Sequence, residues 1–173
     1  LRSPKAGARV RGLELATVED AAGIVAVRNA AAEHLTREYG EGHWSGLTSE
    51  RGVLFALRIS RVFVMRRRNR VIATLRLATK KPWAIDPTYF TACKRPIYLT
   101  DMAVAPGLQR QGIGRRCIKE AVRIIREWPG DSIRLDAYDA VAGAGPFYAK
   151  CGFQEVGRVT YRKTPLVYFE LVL

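Results

Sequence analysis

The chain reads as a single α/β layer fold, with a mixed, mostly antiparallel sheet flanked by helices. Three observations predict it. Its 173 residues are one domain's worth of chain. Helical stretches come first, then a pair of hairpin-like strands, a strand–loop–helix–strand unit, a short helix and two closing strands. That order suits a sheet covered by helices. No repeat or low-complexity tract breaks it.

Residues 1–12 hold Pro4, Gly7, Gly12 and four basic residues, which reads as a frayed tail before a domain over 13–173. A first strand is expected near Leu13–Leu15. Thr17 then stands as N-cap, with Asp20 three residues on, close to a capping box. Ile24, Val27, Ala31 and Leu35 recur at helical spacing and predict one buried face. "EGHWSGLTSE" breaks the pattern with two glycines, and a second helix is expected around Ser49–Ile59. "RVFVM" and "VIATLRLAT", joined by "RRRNR", predict a hairpin with a basic turn. "KKPWAIDPTYFTACKRP" carries Pro82, Pro87 and Pro96 and reads as a long loop. "IYLTDMAV" is a strand. A glycine-bearing loop and a helix follow, with Ile113, Cys117, Ala121, Ile124 and Trp128 on one face. "SIRLDAY" is the next strand, and "AVAGAGPFYAKCGF" a short helix with Gly152 at its C-terminal stop. "VGRVTYR" and "LVYFELVL" close the chain as antiparallel strands joined near Thr164–Pro165.

Composition narrows the functional classes. Net charge is +13, from 29 basic and 16 acidic residues, which favours anionic partners: nucleic acid, acidic lipid or a phosphorylated small molecule. Cys93, Cys117 and Cys151 are odd in number and widely spaced, with no CxxC pair, so neither a metal site nor a disulfide framework is expected. Free thiols point to a reducing compartment, the cytoplasm. No apolar run is long enough to span a membrane. The chain begins at Leu1 rather than Met, which leaves a removed leader open.

The stretch "APGLQRQGIGRRCIKEAVRIIREW", residues 105–128, carries the most chemistry. A strand through Met102 and Val104 feeds a loop with Gly112 and Gly114, and a helix follows. The first turn of a helix presents unpaired N–H groups and partial positive charge. Glycine lets backbone approach a bulky anion. The combination predicts a pyrophosphate cradle, with Arg110, Arg115 and Arg116 adding charge. No GK[ST] follows, so it is not a Walker A loop, and the GxGxxG spacing of dinucleotide folds is absent.

The loop reads Gln109-x-x-Gly112-x-Gly114. After a strand ending "MAVAP", that spacing resembles the coenzyme A-binding motif of the GNAT N-acetyltransferase superfamily. The resemblance continues at Phe147-Tyr148-Ala149-Lys150-Cys151-Gly152-Phe153, which looks like the "FYxKxGF" helix of these proteins. It implies a GNAT-type fold and transfer of an acetyl group from acetyl-CoA to a primary amine. Backbone at Met102, Ala103 and Val104 would pair with the pantetheine arm. Gln109, Arg110, Gln111, Gly112, Ile113, Gly114 and Arg115 would hold the pyrophosphate, with Phe147 and Lys150 also facing the cofactor. Tyr148 would act as general acid at the thioester sulfur. One departure stands out: many relatives carry Asn seven residues before the tyrosine, where this chain has Val141. Asp139 is one substitute for that contact.

Direct transfer needs a neutral amine, and a lysine-like amine of pKa about 10.4 is neutral in only about one molecule in 2,000 at pH 7. A base is therefore expected. The family often places a glutamate on the strand before the loop, where this chain has Thr100. Asp101 is adjacent and is taken as the catalytic carboxylate, although strand alternation points it to the opposite face from Thr100. Asp136 reads similarly, as a carboxylate on a strand. His43 and Glu33 are further candidates. The acceptor, a small molecule or a peptide amine, is expected between loops 38–46 and 80–86, with His43, Trp44, Trp83 and Asp86 contacting it.

Two other readings stay open. One is a nucleic-acid-associated module using the basic surface, although no RRM, KH, zinc-finger or helix-turn-helix signature accompanies the charge. The other is a CoA-binding sensor with weak or no catalysis. A homodimer stays among the open arrangements, and no membrane partner is expected.

Overall fold

The computed structural model describes residues 10–173. Seven strands form one sheet: β1 (Val10–Leu15), β2 (Arg61–Arg67), β3 (Arg70–Ala78), β4 (Pro96–Val104), β5 (Ser132–Tyr138), β6 (Gln154–Tyr161) and β7 (Thr164–Val172), in the order β1-β2-β3-β4-β5-β7-β6. All neighbours are antiparallel except β4 and β5. Two helices, α1 (Ala21–Tyr39) and α2 (Glu50–Ile59), precede the hairpin. Two more, α3 (Ile113–Glu127) and α4 (Gly145–Lys150), follow β4 and β5.

β1 begins at Val10, three residues before the expected start of the first strand at Leu13; residues 1–9 lie outside the described residues. The Asp20 carboxylate accepts the Thr17 N–H at 2.9 Å, but the first turn, Val18–Asp20, is a 3₁₀ turn and α1 starts only at Ala21. Along α1, Ile24 and Val27 are buried together with Ala32, whereas Ala31 and Leu35 are only partly covered and line a cleft. The predicted apolar face is thus divided between core and cavity. The second helix matches its prediction, with Ser49 Oγ accepting the Gly52 N–H at 3.2 Å.

Both hairpins turn on two residues with positive φ, Arg68 and Asn69 (50° and 61°) and Arg162 and Lys163 (46° and 68°). A right-twisted hairpin with a two-residue loop favours that pair of conformations. The last turn therefore falls at Arg162–Lys163 and not at Thr164–Pro165. Pro165 instead pairs with Thr160 inside the ladder.

The main core lies between the sheet and α3, where Cys117, Ile118, Ala121 and Ile125 pack on Leu75, Leu77, Ile133 and Leu135. Ile118 and Ile125 belong to this buried stripe, while Ile124 is only partly covered, so the apolar face sits further round the helix than the spacing suggested. Burying each large aliphatic side chain contributes about 1.5–3 kcal/mol. A second cluster sits under α1 and α2 on the other face. The loop after β3 is pinned over β5 and β7 by a buried pair. Arg134 contacts Glu170 at 3.3 Å and donates to the Thr91 carbonyl at 2.6 Å, while Glu170 accepts the Thr91 N–H at 3.0 Å. Among the described residues no helix is long and apolar enough to cross a membrane.

Candidate active site

The sheet is interrupted at its centre. β4 and β5 pair in parallel only from Pro96 to Tyr98 and from Ser132 to Arg134. β4 then stays with β3 as far as Val104, and β5 stays with β7 as far as Tyr138. The two strands diverge, and a cleft of about 660 Å³ opens, lined on its strand walls by Leu99–Ala103 and Asp136–Tyr138. Strand backbone facing such a seam is free to pair with an extended ligand.

The loop from Val104 to α3 borders the same strand end. The first turn of α3 leaves its N–H groups unpaired within the helix: Arg116 N–H is bound by the Gly112 carbonyl at 3.0 Å, and Ile113, Gly114 and Arg115 come before that bond. Gly112 has φ of 81° and a Cβ there would meet nothing within 4 Å. The conformation, not crowding, calls for glycine. At Gly114 crowding decides, because a Cβ would come within 3.1 Å of the Phe147 ring. Gln109 and Gln111 brace the loop by donating to the Val104 and Gly107 carbonyls, each at 3.1 Å. Arg110, Arg115 and Arg116 are exposed around it, as is Lys150.

β4 carries an extra residue inside the seam. Thr74 pairs with Ala103 and Arg76 with Thr100, so two residues of β4, Asp101 and Met102, stand opposite Leu75. Asp101 adopts φ of 54° to accommodate this bulge. The expected alternation fails there, and Thr100 and Asp101 both line the cleft. Asp101 is held by two guanidiniums, Arg28 at 2.9 Å and Arg76 at 3.2 Å. Arg76 also donates to the Thr100 hydroxyl at 2.8 Å.

Asp136 faces the cleft from β5 with no side-chain partner from another residue among the described ones; its own backbone N–H is the donor that steadies it. Burial, with repulsion from Asp101, raises its carboxyl above the ordinary aspartate value. Tyr148, from α4, is buried at the inner end, its hydroxyl 3.9 Å from the Met102 sulfur. Burial holds that phenol strongly in its protonated form.

The roof is the α1–α2 loop. Asn29 clamps it by a two-way bond to Thr48, at 2.8 and 3.1 Å. Tyr138 donates to the His43 carbonyl at 2.9 Å, and Thr164 of the β6–β7 hairpin meets His43 Nδ1 at 3.3 Å. The Trp44 ring stands edge-on to Tyr138 at 6.3 Å. His43 and Trp44 therefore line the cleft. Trp83 and Asp86 do not. Trp83 is 84% exposed, and Asp86 caps a short turn by accepting the Thr88 N–H at 2.9 Å. Neither lines the cleft. Their loop is drawn over β7 instead, where the Tyr168 hydroxyl donates to the Ala84 carbonyl. Glu33 is exposed and outside the cleft, Asp139 is taken by Arg158 at 2.7 Å, and Val141 is 87% exposed.

Arg28, Arg76 and Tyr138 were missed in the sequence. Their signals are present: Arg28 lies on the helical stripe of Ile24, Ala31 and Leu35, and Arg76 interrupts an apolar strand. The three thiols are all raised above the ordinary cysteine value by burial, Cys117 to about 12. Among the described residues no group of three or more His, Cys, Asp or Glu is placed to hold a metal.

The family model described as the acetyltransferase (GNAT) family matches residues 28–153. Solved structures with the same fold include an N-acetyltransferase from Staphylococcus aureus Mu50, 16% identical, with TM-score 0.70 over 95% of this chain and 98% of that one. A ribosomal-protein-alanine N-acetyltransferase from Brucella melitensis is 19% identical, with TM-score 0.70 over 93% of this chain and 99% of the other. The PaiA N-acetyltransferase from Thermoplasma acidophilum, in complex with coenzyme A, is 13% identical, with TM-score 0.70 over 95% and 99%.

Proposed function

Because the chain belongs to the acetyltransferase (GNAT) family, whose acetyl donor is acetyl-CoA, we propose that it transfers acetyl directly to a primary amine within a ternary complex. The observation that carries this reading is the divergence of β4 and β5 beside the open N-terminus of α3. An extended pantetheine arm fits the seam, and a pyrophosphate fits the free N–H groups from Ile113 to Arg115. Acetyl-CoA supplies an activated acyl carbon and a thiolate leaving group.

The chain's own residues divide the proton work. Asp136 is the base in this reading, in place of Asp101, because Asp101 is engaged by two arginines and Asp136 is free. Its raised pKa brings it closer to that of the ammonium it must deprotonate. The freed amine attacks the thioester carbonyl, the C–N bond forms and the C–S bond breaks. Tyr148, kept protonated by burial, donates its proton to the departing sulfur, and the second proton lost by the amine nitrogen as the amide forms passes through solvent to restore the phenol. His43 and Trp44 wall the acceptor side, while Trp83 and Asp86 take no part.

Tyr148→Phe tests the acid. It keeps the ring in its aromatic cluster with Phe147, Phe153 and Phe169 and removes only the hydroxyl. A drop in kcat of about tenfold or more, with acetyl-CoA affinity unchanged, is expected for a bond made mainly in the transition state. Equal kcat, with chemistry rate-limiting, would remove Tyr148 from the mechanism.

A further inference from the structure

We infer that the acceptor is a small zwitterion, an amine that carries its own carboxylate, and that Arg28 and Arg76 bind that carboxylate. This rests on the acetyltransferase reading above and names its substrate class. The cleft wall holds two guanidiniums with a single carboxylate, Asp101, between them. Asp101 uses one nitrogen of Arg28 and one of Arg76. A guanidinium has five N–H donors in a planar fork, so each arginine keeps donors in reserve. Both side chains stay about a quarter open, at 27% and 26%, and both line the cavity. The proposed proton transfers use neither of them.

Charge then selects the ligand. The arginines and Asp101 together leave one net positive charge in the cleft, and Asp136 across it is a free negative charge. A simple cationic amine would meet Asp136 but leave the arginines with nothing to hold. A diamine would bring a second positive charge against them. A zwitterion is met at both ends: its ammonium by Asp136, its carboxylate by the forks of Arg28 and Arg76. Leu35, Leu47 and Trp44 line the remaining wall, which suits an apolar side chain. The roof, tied to β5 and to the β6–β7 hairpin through His43, keeps the acceptor side short and favours a small molecule over a long peptide.

The test supplies acetyl-CoA and the standard L-amino acids that carry a primary amine, each beside its carboxamide, with 1,4-diaminobutane as the dicationic probe. Thiol release gives kcat and KM. At least one free acid is expected to exceed its own amide about tenfold or more in kcat/KM, the scale of a charged hydrogen-bond contact. The amide has the more easily deprotonated amine, so basicity would favour the opposite result. Arg28→Gln should raise KM for that acid about tenfold and leave KM for the amide and for acetyl-CoA within about twofold; Arg28→Lys should restore part of the loss. Calorimetry on protein loaded with CoA should show the same acid binding and Arg28→Gln weakening it about tenfold. Amides or the diamine turning over as well as every acid would overturn the inference and leave the acetyltransferase standing. So would an Arg28→Gln effect equal on acid and amide. Acetyl-CoA binding with no turnover of any probe would overturn both.

Discussion

Asp136→Asn is expected to lower kcat/KM by about 10²-fold or more, the usual contribution of a positioned general base, without lowering Tm. The two effects have one origin. Asp136 is half-buried in the cleft with no ion-pair partner among the described residues, and this desolvation raises its pKa. A carboxyl whose folded pKa exceeds its unfolded value binds a proton more tightly when folded. The fold therefore gains stability as pH falls through the window between those two values, and carries a cost when the group is ionised above it. Asparagine is neutral at every pH and removes that cost, so thermal stability at neutral pH should be equal or higher. The same sign governs activity. The parent should lose kcat/KM as pH drops through a pKa above the ordinary aspartate value, and the variant should lack that acidic limb. Asp101→Asn makes the control, since it strips two arginines of their partner and should lower Tm. Full activity in Asp136→Asn would return the search for a base to Asp101, His43 or bound water.

Gly112→Val should weaken acetyl-CoA binding about tenfold or more while leaving the fold intact. Gly112 precedes α3 with φ of 81°, a region costly to a residue with a Cβ and most costly to a β-branched one. No described residue lies within 4 Å of the added Cβ, so the new methyls have open space around them, where a pyrophosphate would approach. Gly112→Asn separates the two causes. Asparagine tolerates the left-handed conformation, so it should recover the loss due to backbone strain but not the loss due to a side chain in the anion's path. Unchanged affinity in the valine variant, measured calorimetrically, would take the pyrophosphate away from this loop.

What was legible in the sequence was what is encoded locally. The spacing Gln109, Gly112, Gly114 marks a strand-to-helix junction, and Gln109 and Gly112 act on their own stretch of backbone, whereas Gly114 answers to the Phe147 ring. The strand and helix types followed from periodicity in the same way. The bulge at Asp101 did not, because an aspartate at positive φ carries no local mark. Its register is set by pairing with β3, on residues twenty-odd positions away. That one inserted residue accompanies the pairing of Asp101 with the two arginines, which is why the proposal takes Asp136 as the base. The Arg162–Lys163 turn was hidden for a related reason: neither residue is the glycine or asparagine that such turns usually advertise. Trp44 and Trp83 look alike in sequence, each an aromatic in a polar loop. They separate only when the fold draws one loop onto β5 and the other over β7, which depends on Tyr138, Tyr168 and the Arg134–Glu170 pair.

Direct transfer from acetyl-CoA to an amine, with no acetylated enzyme on the way, is tested most directly by following label from acetyl-CoA with and without the acceptor. The buried, raised thiol of Cys117 and the raised thiols of Cys93 and Cys151 are poorly suited to act as nucleophiles. The account predicts that thiol release depends on the amine, that each thiol is matched by one acetylated amine, and that intact protein mass stays unchanged with acetyl-CoA alone. A burst of thiol without amine, accompanied by acetyl on any of the three cysteines, would contradict it.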